Sequence, residues 1–174
     1  IPFVFFDRHC NIPGNNNVLI DDFNGGFDAT QHLVERGSKH IVHFSGPQEL
    51  EIYRNRFEGY KAALKKNNLS YKDEYVVSSR LMEEDGFDNV KKLIANGLDF
   101  DGIFSANDVA AIGAIKCLIN EGMKIPEDVT IVGFSNEPIS TVINPALTTI
   151  NQPGFEMGKT ATELLLKHIK SQNE

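Results

Sequence analysis

The sequence predicts an α/β fold in which parallel β-strands form a sheet flanked by helices. Short apolar runs, which are typical of buried strands, alternate along the chain with amphipathic stretches, which are typical of helices. Gly and Pro residues mark most of the junctions, so the connections are short. Strands that alternate with helices over short connections indicate βαβ units, whose strands run parallel and are covered on both faces.

Seven apolar runs are predicted as strands. The first ends at Asp7, and the third is closed by Gly46 and Pro47. Between the first two runs, residues 11–17 contain Pro and Gly together with several Asn, which predicts a turn-rich loop. The seven predicted strands are 3–6, 18–20, 40–45, 75–77, 102–105, 129–134 and 148–150.

Five amphipathic stretches are predicted as helices. In the second, Tyr53, Phe57, Tyr60 and Leu64 recur at the spacing of one helix face, which gives the helix an aromatic inner side. Glycines stand where helices commonly end, and Asn107 stands where an N-cap is expected. The predicted helices are 24–36 before Gly37, 53–64, 87–94 before Gly97, the stretch from the cap Asn107 to Gly122, and 154–170.

Parallel sheets bind ligands in the crevice beyond the carboxyl ends of their strands, so the polar residues there are the candidates for binding. Arg56, in the first turns of its helix, has a planar fork that can clamp a vicinal diol or a carboxylate of a ligand, or can form a structural salt bridge. Asn107 can offer its amide to a ligand or only cap its helix. Phe87 can stack on a sugar or base ring or pack in the core.

Composition and charge argue against three other classes of protein, those that bind nucleic acid, span a membrane or are exported. The chain has 17 Lys and Arg against 24 Asp and Glu, a net charge of −7, so it is a poor candidate for holding nucleic acid by itself. No stretch approaches 18 apolar residues, and the first residues lack a secretory signal, so neither a membrane nor export is expected. Cys10 and Cys117 are too few for a disulfide framework, which favours a reducing, cytoplasmic compartment.

No specific catalytic constellation is visible, and we expect a binding protein rather than an enzyme. Residues 154–160 resemble a phosphate-binding loop, but only three residues separate the two glycines where four are needed. The five histidines lack the spacing of a metal site, and no nucleophile elbow occurs. We therefore predict no catalytic residue, no metal and no cofactor.

Strings of residues along nearly the whole chain resemble one known family. They match, in order, the effector-binding domain of the lactose/galactose-repressor family of bacterial transcription regulators. The sugar-binding periplasmic proteins share the fold of this domain and are weaker matches. The strings most specific to the family are Ala106-Asn107-Asp108, the segment from Ile125 to Gly133, and the segment from Thr148 to Pro153.

The resemblance implies a two-lobed, periplasmic-binding-protein-like sensor that binds a small sugar or nucleobase-like effector in a cleft between its lobes. It assigns 1–20 and 153–174 to a partial N-terminal lobe and 21–152 to a nearly complete C-terminal lobe. The chain is then truncated at both ends, and operator DNA is contacted only through a helix-turn-helix headpiece that this chain lacks. A homodimer is also implied, since each headpiece reads one half-site.

Residue by residue, the resemblance places six side chains around the effector, and it makes Arg56 a cleft residue whose loss leaves folding intact. Ser135 departs from the family, because many relatives carry an Asp there, and this leaves the effector's identity open. Two alternatives remain: a periplasmic sugar-binding protein of a transport system, and a small α/β enzyme whose catalytic residues are not recognised. The implied effector contacts are Asp7, Arg56, Phe87, Asn107, Ser135 and Gln152.

Overall fold

The computed structural model describes residues 1–10, 12 and 16–171. Strands and helices alternate along most of the chain, as the sequence predicts. The strands are β1 Val4–Phe6, β2 Asn16–Val18, β3 Ile41–Ser45, β4 Val76–Ser78, β5 Gly102–Ser105, β6 Thr130–Ser135 and β7 Thr148–Asn151. The helices are α1 Asp22–Glu35, α2 Glu51–Lys66, α3 Glu83–Ala95, α4 Asp108–Asn120 and α5 Gly154–Ser171. Short 3₁₀ turns lie at Asp73–Tyr75 and Pro138–Thr141.

The chain divides into two compact units. The smaller unit consists of Ile1–Asp21 and the segment from Gln152 onward. In it, β1 and β2 pair in parallel, with Val4 opposite Asn16 and Phe6 opposite Val18. Helix α5 packs against both strands.

The larger unit, Asp22–Asn151, is a five-stranded parallel sheet between two pairs of helices. The strand order is β4-β3-β5-β6-β7, and every neighbouring pair is parallel. Helices α1 and α2 cover one face, and α3 and α4 cover the other, where they enclose an apolar core with Phe44, Ile103 and Ile131 of the sheet. The predicted fold class, a parallel sheet flanked by helices, is confirmed.

The two helices of each pair approach each other at glycines. On one face, a Cβ atom at Gly86 of α3 would overlap the carbonyl of Ala110 in α4, and one at Gly113 of α4 would overlap the carbonyl of Glu83. Gly26 and Gly59 bring α1 and α2 together in the same reciprocal way. Both helix pairs are therefore held by direct contact between their backbones.

The structure corrects the sequence prediction at β2. The strand is Asn16–Val18, whereas the sequence predicts a loop up to 17 and a strand at 18–20. The Asn17 side chain accepts a hydrogen bond from the Cys10 N–H (3.0 Å) and donates one to the Cys10 carbonyl (3.2 Å). These bonds and the pairing with β1 outweigh the low β-propensity of Asn. Residues 11 and 13–15 of the predicted loop lie outside the described residues.

The first residues of α5, which resemble a phosphate-binding loop in sequence, form the start of an ordinary helix at Gly154. Within 1–10, 12 and 16–171, no helix is both long enough and apolar enough to cross a lipid bilayer.

A buried histidine lies at the centre of the sheet. His43 of β3 is fully buried, and its ring stacks on those of Phe104 and Tyr60 at centroid distances of 4.6 and 5.1 Å. Its Nδ1 lies 3.0 Å from the Phe104 carbonyl, so this nitrogen carries the proton and donates it. Burial lowers the pKa of His43 to about 4, and the nearby Arg56 charge acts in the same direction.

This lowered pKa predicts a loss of stability in mild acid. Between pH 6.5 and about 4, His43 of the unfolded chain binds a proton that the folded chain excludes. The free energy of unfolding therefore falls as the pH falls through this window, by about 3 kcal/mol in total. Urea unfolding at pH 7 and pH 4.5 measures the change, and the His43→Phe variant isolates it from the carboxylates. Equal pH dependence in the two proteins would contradict the prediction.

Candidate functional site

The carboxyl ends of the five parallel strands in the larger unit lie along one edge of the sheet, which we call the carboxyl edge. Each strand finishes in a short polar side chain. Two of these side chains are buried, and among the described residues the Ser105 hydroxyl has no hydrogen-bond partner. The residues that finish the strands are Ser45, Ser78, Ser105, Ser135 and Asn151.

Arg56 of α2 is held in a buried ion pair beside this edge. Its Nε and Nη2 each lie 2.8 Å from Oδ1 of Asp22, and Nη1 donates a 2.7 Å hydrogen bond to the Ala106 carbonyl, just beyond β5. The guanidinium carbon lies 3.5 Å from the centroid of the Phe134 ring, in a cation–π contact.

The structure supports one of the two interpretations of Arg56 and does not test the other. The salt bridge is present in the structure, whereas a contact with an effector stays a prediction. Arg56 is only 3% exposed and is ion-paired, which argues against the expectation that folding survives its removal, so we now expect its loss to lower stability. Of its five N–H groups, one on Nη1 and one on Nη2 have no partner among the described residues.

Asn107 joins the carboxyl edge to the opposite helix pair. Its Oδ1 accepts a 2.9 Å hydrogen bond from the Ala110 N–H, so the predicted N-cap of α4 is confirmed. Its Nδ2 donates a 3.0 Å bond to the carbonyl of Leu81, which precedes α3. One amide N–H and one lone pair of Asn107 stay available to a ligand.

Phe87 lies in the second turn of α3, where its half-buried side chain packs against the core cluster of the larger unit. Core packing was one of its two sequence interpretations, and this contact supports it. The stacking of Phe87 on an effector ring stays a prediction.

Ser135 ends β6 and begins a strained turn. Its φ is 114° and that of Asn136 is 56°, both in the left-handed region that favours glycine. The Asn136 N–H donates to Oγ1 of Thr149 (3.2 Å), and the Asn136 amide donates to Oδ1 of Asn151 (3.0 Å). The turn is thus fastened to β7, with the Ser135 side chain half-buried.

Two predicted residues meet in the smaller unit. Gln152 donates a 2.6 Å hydrogen bond from Nε2 to Oδ1 of Asp7. Asp7, directly after β1, has a φ of 67°. This pair, 145 residues apart in sequence, is a contact that no local pattern predicts.

Two residues at the carboxyl edge of the larger unit, Asp22 and Asp108, escaped the sequence predictions. Asp22 neutralises Arg56, although it lies 34 residues earlier. Asp108 is fully buried and accepts hydrogen bonds from the Thr149 hydroxyl (2.6 Å) and the Glu137 N–H (2.7 Å). Of these residues, only Asp108 could have been found from the sequence, because it is a polar residue next to Asn107 just beyond a predicted strand. No group of His, Cys, Asp and Glu among residues 1–10, 12 and 16–171 is arranged to hold a metal ion.

Comparison with known proteins gives a consistent picture. A family model described as a periplasmic binding protein-like domain matches residues 30–174. Over 91% of its length the chain is 35% identical to the HTH-type transcriptional regulator MalR of Clostridium butyricum, of which it covers 48%. The chain spans about half the length of the curated relatives it matches.

Solved structures of transcriptional regulators resemble this fold, and two of them hold a sugar. The complex of the transcriptional regulator CelR with cellobiose has a TM-score of 0.90 and 30% identity, and the match covers 99% of this chain and 53% of that one. A LacI-family transcriptional regulator from Enterococcus faecium with bound ribose has a TM-score of 0.88 and 32% identity, with 97% of this chain and 62% of that one covered.

Proposed function

The chain belongs to the periplasmic binding protein-like domain family, in the branch of the lactose/galactose-repressor regulators, and from this premise we propose that it is the effector-sensing part of a DNA-binding transcriptional regulator. The effector is a small sugar or a similar metabolite such as a nucleobase. Operator DNA is contacted by a helix-turn-helix headpiece outside this chain, and the full-length protein acts in the cytoplasm as a homodimer. Binding, not catalysis, is its activity.

The observation that carries this proposal is the polar carboxyl edge of the larger unit. There the free N–H groups of Arg56 and Asn107 accompany the side chains that finish the strands. Both residues are already held by bonds to the fold, so a ligand meets donors of fixed position. Hydroxyl groups of a sugar can accept from such donors and donate to the Ser and Asn oxygens.

We propose roles for six residues by their chemistry. Arg56 and Asn107 donate to hydroxyl or carbonyl oxygens, and the Ser135 hydroxyl both donates and accepts. Phe87 offers an apolar ring to the C–H face of a sugar or to a base. In the smaller unit, Asp7 and Gln152 supply a carboxylate and an amide. We further propose that the two units are the partial N-terminal lobe and the nearly complete C-terminal lobe of the sensor.

A ligand panel tests the proposal directly. The full-length regulator is titrated in a calorimeter with D-ribose, cellobiose and guanine, and its binding to operator DNA is measured with and without each compound. We expect at least one compound to bind and to change the affinity for DNA. A protein that binds operator DNA but responds to no sugar or nucleobase in a wider panel would contradict the proposed effector class.

Asn107→Ser separates ligand binding from helix capping. Serine is as good an N-cap as asparagine, so α4 keeps its first hydrogen bond, but the amide N–H offered to the effector is lost. We expect effector affinity to fall about tenfold, with a stability loss of about 1 kcal/mol for the Leu81 carbonyl that loses its partner. Calorimetry and a thermal melt measure the two effects.

The matched control for Asn107→Ser is Ser79→Ala. The Ser79 hydroxyl accepts a 3.3 Å hydrogen bond from the Leu81 N–H, so the control weakens the same loop without touching Asn107. Effector affinity should then stay within twofold of the wild type. An equal loss of affinity in both variants would show that Asn107 acts only through the Leu81 loop.

A further inference from the structure

Asp108 is a buried carboxylate at the carboxyl edge with no cation beside it among the described residues. It is the first residue of α4 and is 0% exposed. Burial raises the pKa of Asp108, while hydrogen bonds from the Thr149 hydroxyl and from the N–H groups of Glu137 and Phe134 oppose the rise. A buried charge is costly unless hydrogen bonds stabilise it. The groups that donate these hydrogen bonds therefore indicate what Asp108 does in the fold.

Both carboxylate oxygens of Asp108 fasten the strained turn that follows β6. Oδ2 accepts from the Glu137 N–H (2.7 Å), and Oδ1 accepts from the Thr149 hydroxyl (2.6 Å). The same Thr149 oxygen accepts from the Asn136 N–H (3.2 Å). Two successive N–H groups of the turn are therefore held, one directly and one through Thr149.

The backbone of β6 is shaped to admit this carboxylate. A Cβ atom at Gly133 would overlap Oδ1 of Asp108, so only glycine leaves the space that the oxygen occupies. Left-handed φ angles such as those of Ser135 and Asn136 are unfavourable for residues other than glycine and persist only when the surroundings enforce them. The bonds from Asp108 and Thr149 supply that enforcement.

We propose that Asp108 is a positioning residue for effector recognition: through Thr149 and the Glu137 N–H it holds the Ser135–Asn136 turn in its strained form and so sets where the polar groups of the turn meet the effector. This inference rests on the proposed function for the identity of the ligand, whereas the geometry of the turn is observed independently of that function. Asp108 itself is fully buried and touches no effector.

The test compares three variants of the full-length regulator. Asp108→Ala removes both acceptors. Asp108→Asn keeps an acceptor for the Glu137 N–H and can donate to the Thr149 oxygen, so it is the conservative rescue. Val129→Ala, just before β6 and therefore far along the strand from the turn, opens a cavity where a fully buried side chain was and serves as the control for lost stability.

Hydrogen exchange of the free protein measures how well the amides of the turn are protected. Calorimetry with D-ribose, cellobiose and guanine measures the affinity for the effector. In Asp108→Ala we expect the Asn136 and Glu137 amides to exchange at least tenfold faster than in Val129→Ala, and the affinity for the compound that the wild type binds to fall at least tenfold. Asp108→Asn should stay within threefold of wild type in both measurements. Amide exchange equal to that of Val129→Ala, or unchanged affinity, would overturn the proposal.

A fourth variant covers the case in which Asp108→Ala does not fold. Thr149→Val keeps the shape of a half-buried side chain and removes the oxygen that links Asp108 to Asn136. It should speed exchange at Asn136 more than at Glu137, and equal rates at the two amides would count against the arrangement. If the wild type binds no sugar or nucleobase even in the wider panel, the proposed effector class fails, while the exchange rates still decide the role of Asp108 in the turn.

Discussion

Arg56→Met is expected to lower the free energy of unfolding by about 3–5 kcal/mol, because it removes the positive charge that neutralises the buried Asp22 carboxylate. The side chains of Arg56 and Asp22 are 4% and 7% exposed, so water cannot solvate the Asp22 carboxylate when the arginine charge is removed. The Ala106 carbonyl also loses its donor. Urea unfolding followed by circular dichroism measures the change.

The double variant Arg56→Met/Asp22→Asn is the control for this prediction. It removes both charges of the Arg56–Asp22 pair, and we expect it to recover about 2 kcal/mol of the loss. If the single and double variants are equally unstable, the packing of the arginine stem and the Phe134 contact, not the ion pair, account for the cost.

The same pair of variants separates folding from effector binding. If the remaining N–H groups of Arg56 reach the effector, the double variant regains stability but binds the effector at least tenfold more weakly than wild type. If affinity returns together with stability, Arg56 is structural only, and it should be removed from the proposed contacts.

Gly113→Ala is expected to cost at least about 4 kcal/mol, beyond the usual penalty for overpacking. The added methyl group would overlap the Glu83 carbonyl, which is backbone and cannot rotate away. Helices α3 and α4 must then separate along their whole contact and open the core between them. The urea midpoint of the variant measures the loss of stability. A midpoint equal to that of the wild type would show that α3 and α4 are not in close backbone contact.

Gly158→Ala is the matched control for Gly113→Ala. This glycine also lies inside a helix, α5, but an added Cβ atom would meet nothing within 4 Å. Because alanine is the better helix former by about 0.5–1 kcal/mol, the control should be as stable as wild type or slightly more stable.

Local pattern predicts much of this fold. The strand at Gly102–Ser105 has the bounds expected from its apolar run, and β6 differs from its prediction by one residue at each end. Glycines in the left-handed region follow α1 and α3 where the sequence places helix ends. These features depend on a few neighbouring residues, and so a single sequence reveals them.

The candidate site is far less predictable, because its geometry comes from contacts between distant residues. Nothing near Arg56 indicates that Asp22 will neutralise it. The left-handed turn at Ser135 and Asn136 contains no glycine, so its sequence resembles that of any loop. Only the assembled sheet brings Asp108 and Thr149 to that turn. The sequence could name polar residues at strand ends, but not which of them hold the others in place.

The short side chains that finish the five strands have a thermodynamic consequence for any ligand of the carboxyl edge. Serine and asparagine have few rotatable bonds, so a ligand that binds them restricts little side-chain motion. Arginine carries far more rotamer entropy, but the Asp22 ion pair and the Phe134 ring already confine Arg56 before a ligand arrives. Most of the side-chain conformational entropy that recognition requires is thus lost when the protein folds and not when the ligand binds. A small molecule can therefore bind through only a few hydrogen bonds.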